Sequence, residues 1–476
     1  MAMGKREQEQ QAELWLATTE MVEAPGHPFY RKLNQVLAEG CPSDAGGQGG
    51  NGRVSFDRFA EDQCRKFYHQ ELGRPGIPPG VYFRMLLIGY FEGLDSERGI
   101  AWRCADSLTL REFLGYPLSK ATPDHSSLSV IRGRIDLETH EAVFGWVLKV
   151  LAEKGLLKGK TVGVDATTLE ANAAMRSIVR RDTGESYNEF LTQLAKASGI
   201  ETPTREDLAK LDRKRKNKAS NDDWENPHDP DAKITKMKDG RTHLAHKAEH
   251  AVDMQTGAIV AVTLQGADRG DTTSLEETVD TALVNLLEVQ NDPATQDKVH
   301  AVAVEELVTD KGYHSNATLV GMKAMAVRSY VSEPARGKRD WEDKEAEQAA
   351  VYGNRRRIRG KRGKALMRKR GELIERSFAH CYETGAMRRT HLRGHGNILK
   401  RLLVHVAGFN LGLVMRKLIG IGKPRQAQDG LAAALSALST LLDSVLGLVG
   451  AWWRRLDRLG RIAVPLPPEI TLGRAA

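Results

Sequence analysis

Cysteine is scarce in this chain. Its 476 residues hold four, Cys41, Cys64, Cys104 and Cys381, and none stands in a C-x-x-C pair. That scatter argues against a disulfide framework and a cysteine zinc site, and it suits the reducing cytoplasm. An acidic excess is also missing. The formal net charge is +8, which favours polyanionic partners. The first residues, Met1 to Gln8, are polar and mixed in charge, so no signal peptide is expected. Long apolar runs are nearly absent. Leu431 to Trp453 approaches the length of a membrane span, about 20 residues. Asp443 interrupts it, with Ser436, Ser439, Thr440 and Ser444, and Trp452-Trp453-Arg454-Arg455 follows like an interfacial flank. We read it as a packed or self-associating helix and expect no membrane partner.

What is present is a repeated pattern: a short apolar run that meets a carboxylate. Thr161 to Val164 has the composition of a buried strand, and Asp165 interrupts it. Taking an unpaired carboxylate out of water costs several kcal/mol, so a positive charge belongs beside Asp165. No Lys or Arg lies within the next ten residues, which makes a metal ion a candidate. Ala301 to Val308 repeats the pattern and ends in Asp310, with Gly312 permitting a sharp turn. A third acidic position lies in Gly371 to His380, which reads as helix and carries Glu372 and Glu375. At 100° per residue the two glutamates stand about 60° apart, so both fit one face. Two acids at strand ends and one on a helix are what a two-metal phosphoryl-transfer site needs. Mg²⁺ (or Mn²⁺) prefers oxygen ligands, and two such ions about 3.5–4 Å apart serve the attacking and departing oxygens.

Several blocks together resemble a family. Val164-Asp165-Ala166-Thr167 with Glu170-Ala171-Asn172, then Val308-Thr309-Asp310-Lys311-Gly312-Tyr313, then Glu375-Arg376-Ser377-Phe378, resemble the DDE transposases of bacterial insertion sequences. Upstream, Tyr90 to Arg98, Asp106-Ser107-Leu108, Arg111 to Gly115 and Thr122 to Leu128 are similar to the N-terminal domain of InsH-type members. The resemblance covers most of residues 60–420. It implies an α/β fold: a ribonuclease-H-like mixed-sheet catalytic domain, with an all-α N-terminal domain and a helical C-terminal tail. It implies Asp165, Asp310 and Glu375 as catalytic residues and as ligands of Mg²⁺ (or Mn²⁺). It also implies double-stranded DNA as partner, both element ends and target, a homodimer on paired ends, and a cytoplasmic, nucleoid-associated location. Glu375 is preferred to Glu372 because Arg376 and Phe378 follow it as in the InsH-like branch. Neither completes the Tyr-x-x-Arg-x-x-x-Glu-x-x-x-x-x-x-Lys signature of many relatives. Counted from Glu375, its Tyr, Arg and Lys positions hold Arg368, Gly371 and Tyr382.

In chain order, residues 1–52 read as a helical arm broken near Pro25 to Pro28, then a Gly-rich linker from Gly40 to Gly52. Residues 53–157 read as helical. Pro78-Pro79 starts one helix, and Asp124 caps another that carries Leu128, Ile131 and Ile135. Its Arg84, Arg98, Arg103, Arg111, Arg132 and Arg134 suit DNA docking or, equally, the solvated faces of an ordinary helical domain; the resemblance tips the balance to DNA. Residues 158–420 form the catalytic domain. Asp165 ends its first strand, Thr242–Val252 and Ala258–Leu264 make a hairpin, and Asp271 caps a helix. Ala301–Val308 and Val327–Val331 are the fourth and fifth strands. A charged insertion at about 176–240 reads as a surface arm, in part disordered. Residues 421–476 form the tail. Asn354 to Arg370 is densely basic and holds no acid. Because it runs into the helix of the third acid, Arg355, Arg356, Arg357, Arg359, Lys361, Arg362 and Lys364, with Arg376, are expected to bind phosphates beside the scissile bond. Gly360 and Gly363 would keep the run mobile until DNA binds. The function expected is a transposase that binds terminal inverted repeats and carries out metal-dependent DNA cleavage and strand transfer. The alternatives are a catalytically inactive DNA-binding relative and a ribonuclease-H-like nuclease without strand transfer.

Overall fold

Polar side chains at the right offsets start most of the N-terminal helices. The computed structural model describes residues 26–42, 53–69, 76–215, 219–237, 240–335, 337, 339–428 and 439. The helices are α1 (Pro28–Glu39), α2 (Phe56–Cys64), α3 (Pro79–Glu92), α4 (Glu97–Asp106), α5 (Leu108–Leu114), α6 (His125–Arg134) and α7 (Leu137–Glu153). Ser96, Ser107, Asp124 and Asp136 each accept a backbone N–H at the start of α4, α5, α6 and α7, which satisfies donors that a helix leaves unpaired. Strands β1 (Cys41–Pro42) and β2 (Arg53–Val54) pair antiparallel, so the two flanks of the expected Gly-rich linker meet. Residues 43–52 themselves, the expected arm before residue 26 and the apolar 431–453 segment, residue 439 apart, lie outside the described residues.

The second half is built on a mixed sheet. Its strands are β3 (Thr161–Glu170), β6 (Lys233–Lys236), β7 (Thr242–Asp253), β8 (Ile259–Gly266), β9 (Glu306–Thr309) and β10 (Arg328–Val331). The order is β10-β9-β3-β7, and both β8 and β6 occupy the other edge of β7. Pairings β10–β9 and β9–β3 are parallel; those of β7 are antiparallel. Helices α10 (Asp271–Asn291) and α13 (Lys361–Phe378) pack on the sheet, with α11 (Asn316–Ala324) and α12 (Glu345–Arg359) beside β10. This is the expected α/β architecture with a helical N-terminal part. The last long helix, α14 (His395–Ile419), packs on α7, α3 and β8 and joins the two halves. The helix is buried without a break through its middle, residues 401–412. By length and composition it is long and apolar enough to cross a membrane, yet 83% of its most apolar window lies inside the fold. Buried Asn410 closes the joint by accepting from Ile259 N at 2.9 Å and donating to Ile259 O at 2.8 Å.

The structure corrects four expectations. β3 does not end at Asp165; it pairs with β7 along Val162–Glu170. The strand before Asp310 is shorter than expected, because Val304 takes a left-handed φ of 53° and interrupts the run. Gly270, not Asp271, caps α10. The described part of the insertion is folded. β4 (Val179–Arg180) pairs with β5 (Trp224–Glu225), α8 (Tyr187–Ala197) packs on α9 (Arg205–Lys214), and Ile178, Trp224, Ala232 and Leu244 form a small core.

Candidate active site

Register builds the site. In the β3–β9 ladder Val308 stands beside Gly163, so the chain two residues on brings Asp310 level with Asp165. Their charges act on each other, although they are 145 residues apart in the chain. Asp165 is partly buried, with a side-chain exposure of 26%. It accepts from Ala166 N at 2.9 Å, and its Oδ2 accepts from Arg370 Nη1 at 2.5 Å. The cation that burial demands beside Asp165 is therefore Arg370 of α13, far along the chain. Burial pushes the Asp165 carboxyl above its ordinary range. Arg370 and the Ala166 N–H oppose that rise, and the charge of Asp310 adds to it.

Asp310 leaves β9 and starts a tight turn, its Oδ1 accepting from Gly312 N at 2.8 Å. A Cβ at Gly312 would stand 2.2 Å from Asp271 Oδ2 and 3.1 Å from Asp310 Oδ1, so a larger residue there would displace one of these carboxylates. Behind the turn, buried Tyr313 donates to Glu249 Oε1 at 3.2 Å. Burial pushes that phenol well up, and the charges of Glu249, Asp271 and Asp165 add to the rise.

Helix α13 crosses the sheet from β9 over β3 to β7. Arg362 pairs with Glu306 on β9, Arg370 with Asp165, and Ser377 meets His250 on β7. His250 is the cross-strand partner of Asp165. Burial pushes its imidazole down to about 3, so it is neutral, and its neighbours set its tautomer. Tyr382 donates to Nε2 at 2.6 Å, Nδ1–H donates to Ser377 Oγ at 2.9 Å, and Ser377 donates on to Ile374 O at 2.8 Å. The helix end is further marked by a π-turn at Ala379–Glu383.

The two candidate third acids separate on this helix. Ile374 points at the sheet, over Gly163, and Leu373 reaches Gly257 in the β7–β8 turn. At 100° per residue, Glu375 lies on the flank opposite Leu373, away from that turn, while Glu372 points about 160° away from the sheet. Both are exposed. Glu372 pairs with Arg376 at 2.7 Å, whereas the Glu375 side chain makes no hydrogen bond or ion pair among the described residues.

The basic run also divides. Arg355 grips Glu333 through two bonds of 2.6 and 2.8 Å. Arg357 donates to Ser329 O at 2.8 Å and Ser329 Oγ at 2.7 Å. Arg362 holds Glu306, and Arg376 holds Glu372. Exposed Arg356, Arg359, Lys361 and Lys364 make no hydrogen bond or ion pair among the described residues. Gly360 and Gly363 do not make a loop of the run, because α12 and α13 are helical on either side of Gly360. In the N-terminal half, Arg84 is buried on Asp57, Arg132 pairs with Glu97, Arg103 pairs with Glu92, and Arg111 donates to Pro117 O and Lys120 O. Arg98 and Arg134 keep exposed charges, Arg134 lying over the Tyr68 ring.

Sequence reasoning named Arg370 only within the basic run and passed over Lys247, Glu249 and His250. Their signal was available, since charged residues within the expected strand Thr242–Val252 must find partners when that strand is buried. The Asp165–Asp310 pair fits a hard divalent cation: its donors are all oxygens, and Arg370 only partly offsets its negative charge. Among the described residues no group of three or more His, Cys, Asp or Glu is gathered closely enough to hold a metal, Glu375 being turned to solvent.

Residues 53–134 match the family model described as Transposase domain (DUF772), and residues 219–411 match that of the Transposase DDE domain. The second match spans Asp310 and Glu375; Asp165 lies outside it and enters the site through sheet topology. No curated protein and no solved structure matches the chain. A helical transposase domain followed by a DDE domain on a mixed sheet makes this chain a member of the DDE transposase family.

Proposed function

We propose that this protein binds the terminal inverted repeats of an insertion sequence, cuts the DNA there with Mg²⁺ (or Mn²⁺), and joins the freed 3′ ends to target DNA. Family membership implies DNA as substrate and a divalent-metal-dependent reaction. The finer reading rests on one observation: Asp165 on β3 and Asp310, just past the end of the parallel neighbour β9, stand level, and Asp165 is only partly neutralised. Asp165 and Asp310 would hold the cation, joined by Glu375 from the flank of α13. When bound, the ion supplies charge to the attacking and departing oxygens of the phosphodiester. Arg370 serves as the counter-charge of Asp165 in the DNA-free protein. Arg356, Arg359, Lys361 and Lys364 hold backbone phosphates and place the strand. Two protomers, one on each element end, work in the cytoplasm on nucleoid DNA.

The test is incubation with DNA carrying the element's own ends, in Mg²⁺, in Mn²⁺ and in chelator, followed by mapping of the cuts. Metal-dependent 3′-OH ends at the element boundary, then joined products, are expected. A second reading, an end-binding relative without cleavage, is favoured by the Arg370–Asp165 ion pair and by the outward position of Glu375. Sequence-specific binding with no cuts in either metal would select it. Cuts without joined products would select a nuclease.

A further inference from the structure

We propose that Lys247 and Asp271 form a clamp that positions the turn carrying Asp310. The inference rests on the reading of Asp165 and Asp310 as a cation-holding pair. Residues directly opposite in an antiparallel ladder share a face, so Asp165 and His250 lie on the α13 side. Lys247 and Glu249, at odd offsets from His250, therefore project to the other side, where α10 packs.

There Lys247 is 5% exposed, and its ammonium is enclosed by acceptors. It lies 2.7 Å from Asp271 Oδ1, 3.0 Å from Glu249 Oε1, 2.8 Å from Ser274 Oγ and 3.2 Å from Arg269 O. Fully buried Glu249 accepts in turn from Ser274 Oγ at 2.5 Å, Thr278 Oγ1 at 2.6 Å and the Tyr313 phenol at 3.2 Å. Neither charge could stay buried without the other.

The network reaches the candidate site through backbone. Asp271 Oδ2 and Asp310 Oδ1 converge on Gly312, where a Cβ would meet them at 2.2 and 3.1 Å. Tyr313, the next residue, is tied to Glu249. The turn is thus tied at Tyr313 and backed by the Asp271 carboxylate at Gly312, while the Asp310 side chain itself accepts only from Gly312 N among the described residues. Lys247 neutralises Asp271 at the point where an unpaired carboxylate would repel Asp310. Lys247 and Asp271 are positioning residues: they set where the Asp310 carboxylate points, and so how well it holds a cation.

The experiment is titration of the full chain, without DNA, with Mn²⁺, reading free Mn²⁺ by electron paramagnetic resonance and folding by thermal melting. Wild type should bind Mn²⁺ and Asp310→Asn should lose that binding. Lys247→Met should weaken it about 10–100-fold, the usual effect of removing a partner that orients a ligand. Lys247→Arg, which keeps the charge, should recover most of the affinity. Asp271→Asn leaves Lys247 with Glu249 and so keeps the fold; it should weaken Mn²⁺ affinity in the same direction with little change in melting. Wild-type affinity in folded Lys247→Met or in Asp271→Asn would overturn the clamp. No Mn²⁺ binding by wild type, or full binding by Asp310→Asn, would instead remove the cation-holding pair and the clamp with it.

Discussion

Glu306 on β9 and Asp165 on β3 each take an arginine from α13, and their surroundings differ in kind. Glu306 is 1% exposed. Arg362 donates to both its oxygens, the Thr161 hydroxyl donates at 2.5 Å and the Tyr330 phenol at 3.3 Å. Burial pushes its carboxyl up, but Arg362, Thr161 and Tyr330 together hold it below the ordinary range. Among the described residues Asp165 has one arginine bond and one backbone N–H, keeps contact with solvent and faces Asp310; its carboxyl is raised. A carboxylate saturated with donors is finished as structure. One left short of donors beside a second acid still has lone pairs for a cation.

The comparison predicts opposite outcomes for the two acids. Asp165→Asn or Asp310→Asn should lower end cleavage on the order of a thousandfold, with DNA binding near normal and melting unchanged or raised, because a repulsive charge is removed. Equal cleavage in either variant would take that residue out of the site. Glu375→Gln should cost on the order of a hundredfold in cleavage and Glu372→Gln much less, since Glu372 points away from the sheet. The reverse ranking would move the third position to Glu372 and leave the mechanism in place.

The basic run sharpens the same contrast between paired and unpaired charge. Changing Arg356, Arg359, Lys361 and Lys364 to Ala should weaken binding to all duplexes alike, each lost phosphate contact taking about 0.9 from the log–log salt slope. Arg355→Ala with Arg357→Ala should leave that slope alone and lower the melting temperature. If the two sets behave identically, pairing within the protein does not decide which arginines meet DNA. Glu306→Gln should lower stability by about 1–3 kcal/mol, read by denaturant melts, with cleavage per folded molecule retained.

The smallest effect concerns pH. The folded-state value of His250, about 3, lies below its ordinary 6.5. Stability from its neutral form is therefore complete above about pH 6.5 and is lost as pH falls from there towards about 3. Glutamine at 250 donates and accepts without titrating, so His250→Gln should melt with a shallower dependence over that window. An unchanged dependence would mean that His250 does not set it.

Much of the architecture was legible because strand composition and helix spacing are local signals. Asp165 and Asp310 were legible as a pair because each interrupts or ends an apolar run. The partner of Asp165 was not, since Arg370 is close only once α13 crosses β3. The same holds for Arg355, Arg357 and Arg362, whose acceptors on Glu333, Ser329 and Glu306 come from other elements, and for Arg84 on Asp57. A basic run read along the chain cannot separate arginines that hold the fold from those that face solvent. The choice between Glu372 and Glu375 depends on which residue of α13 meets Gly163, a packing fact.

We propose that Asp165 and Asp310 cut DNA with a divalent cation at the element ends. Mapping cuts on end-labelled DNA, with wild type and Asp165→Asn in Mg²⁺, tests it most directly. Wild type should leave 3′-OH ends at the element boundary, abolished by chelator and lowered on the order of a thousandfold by the substitution. Boundary cuts that persist in Asp165→Asn, or without any divalent cation, would contradict it.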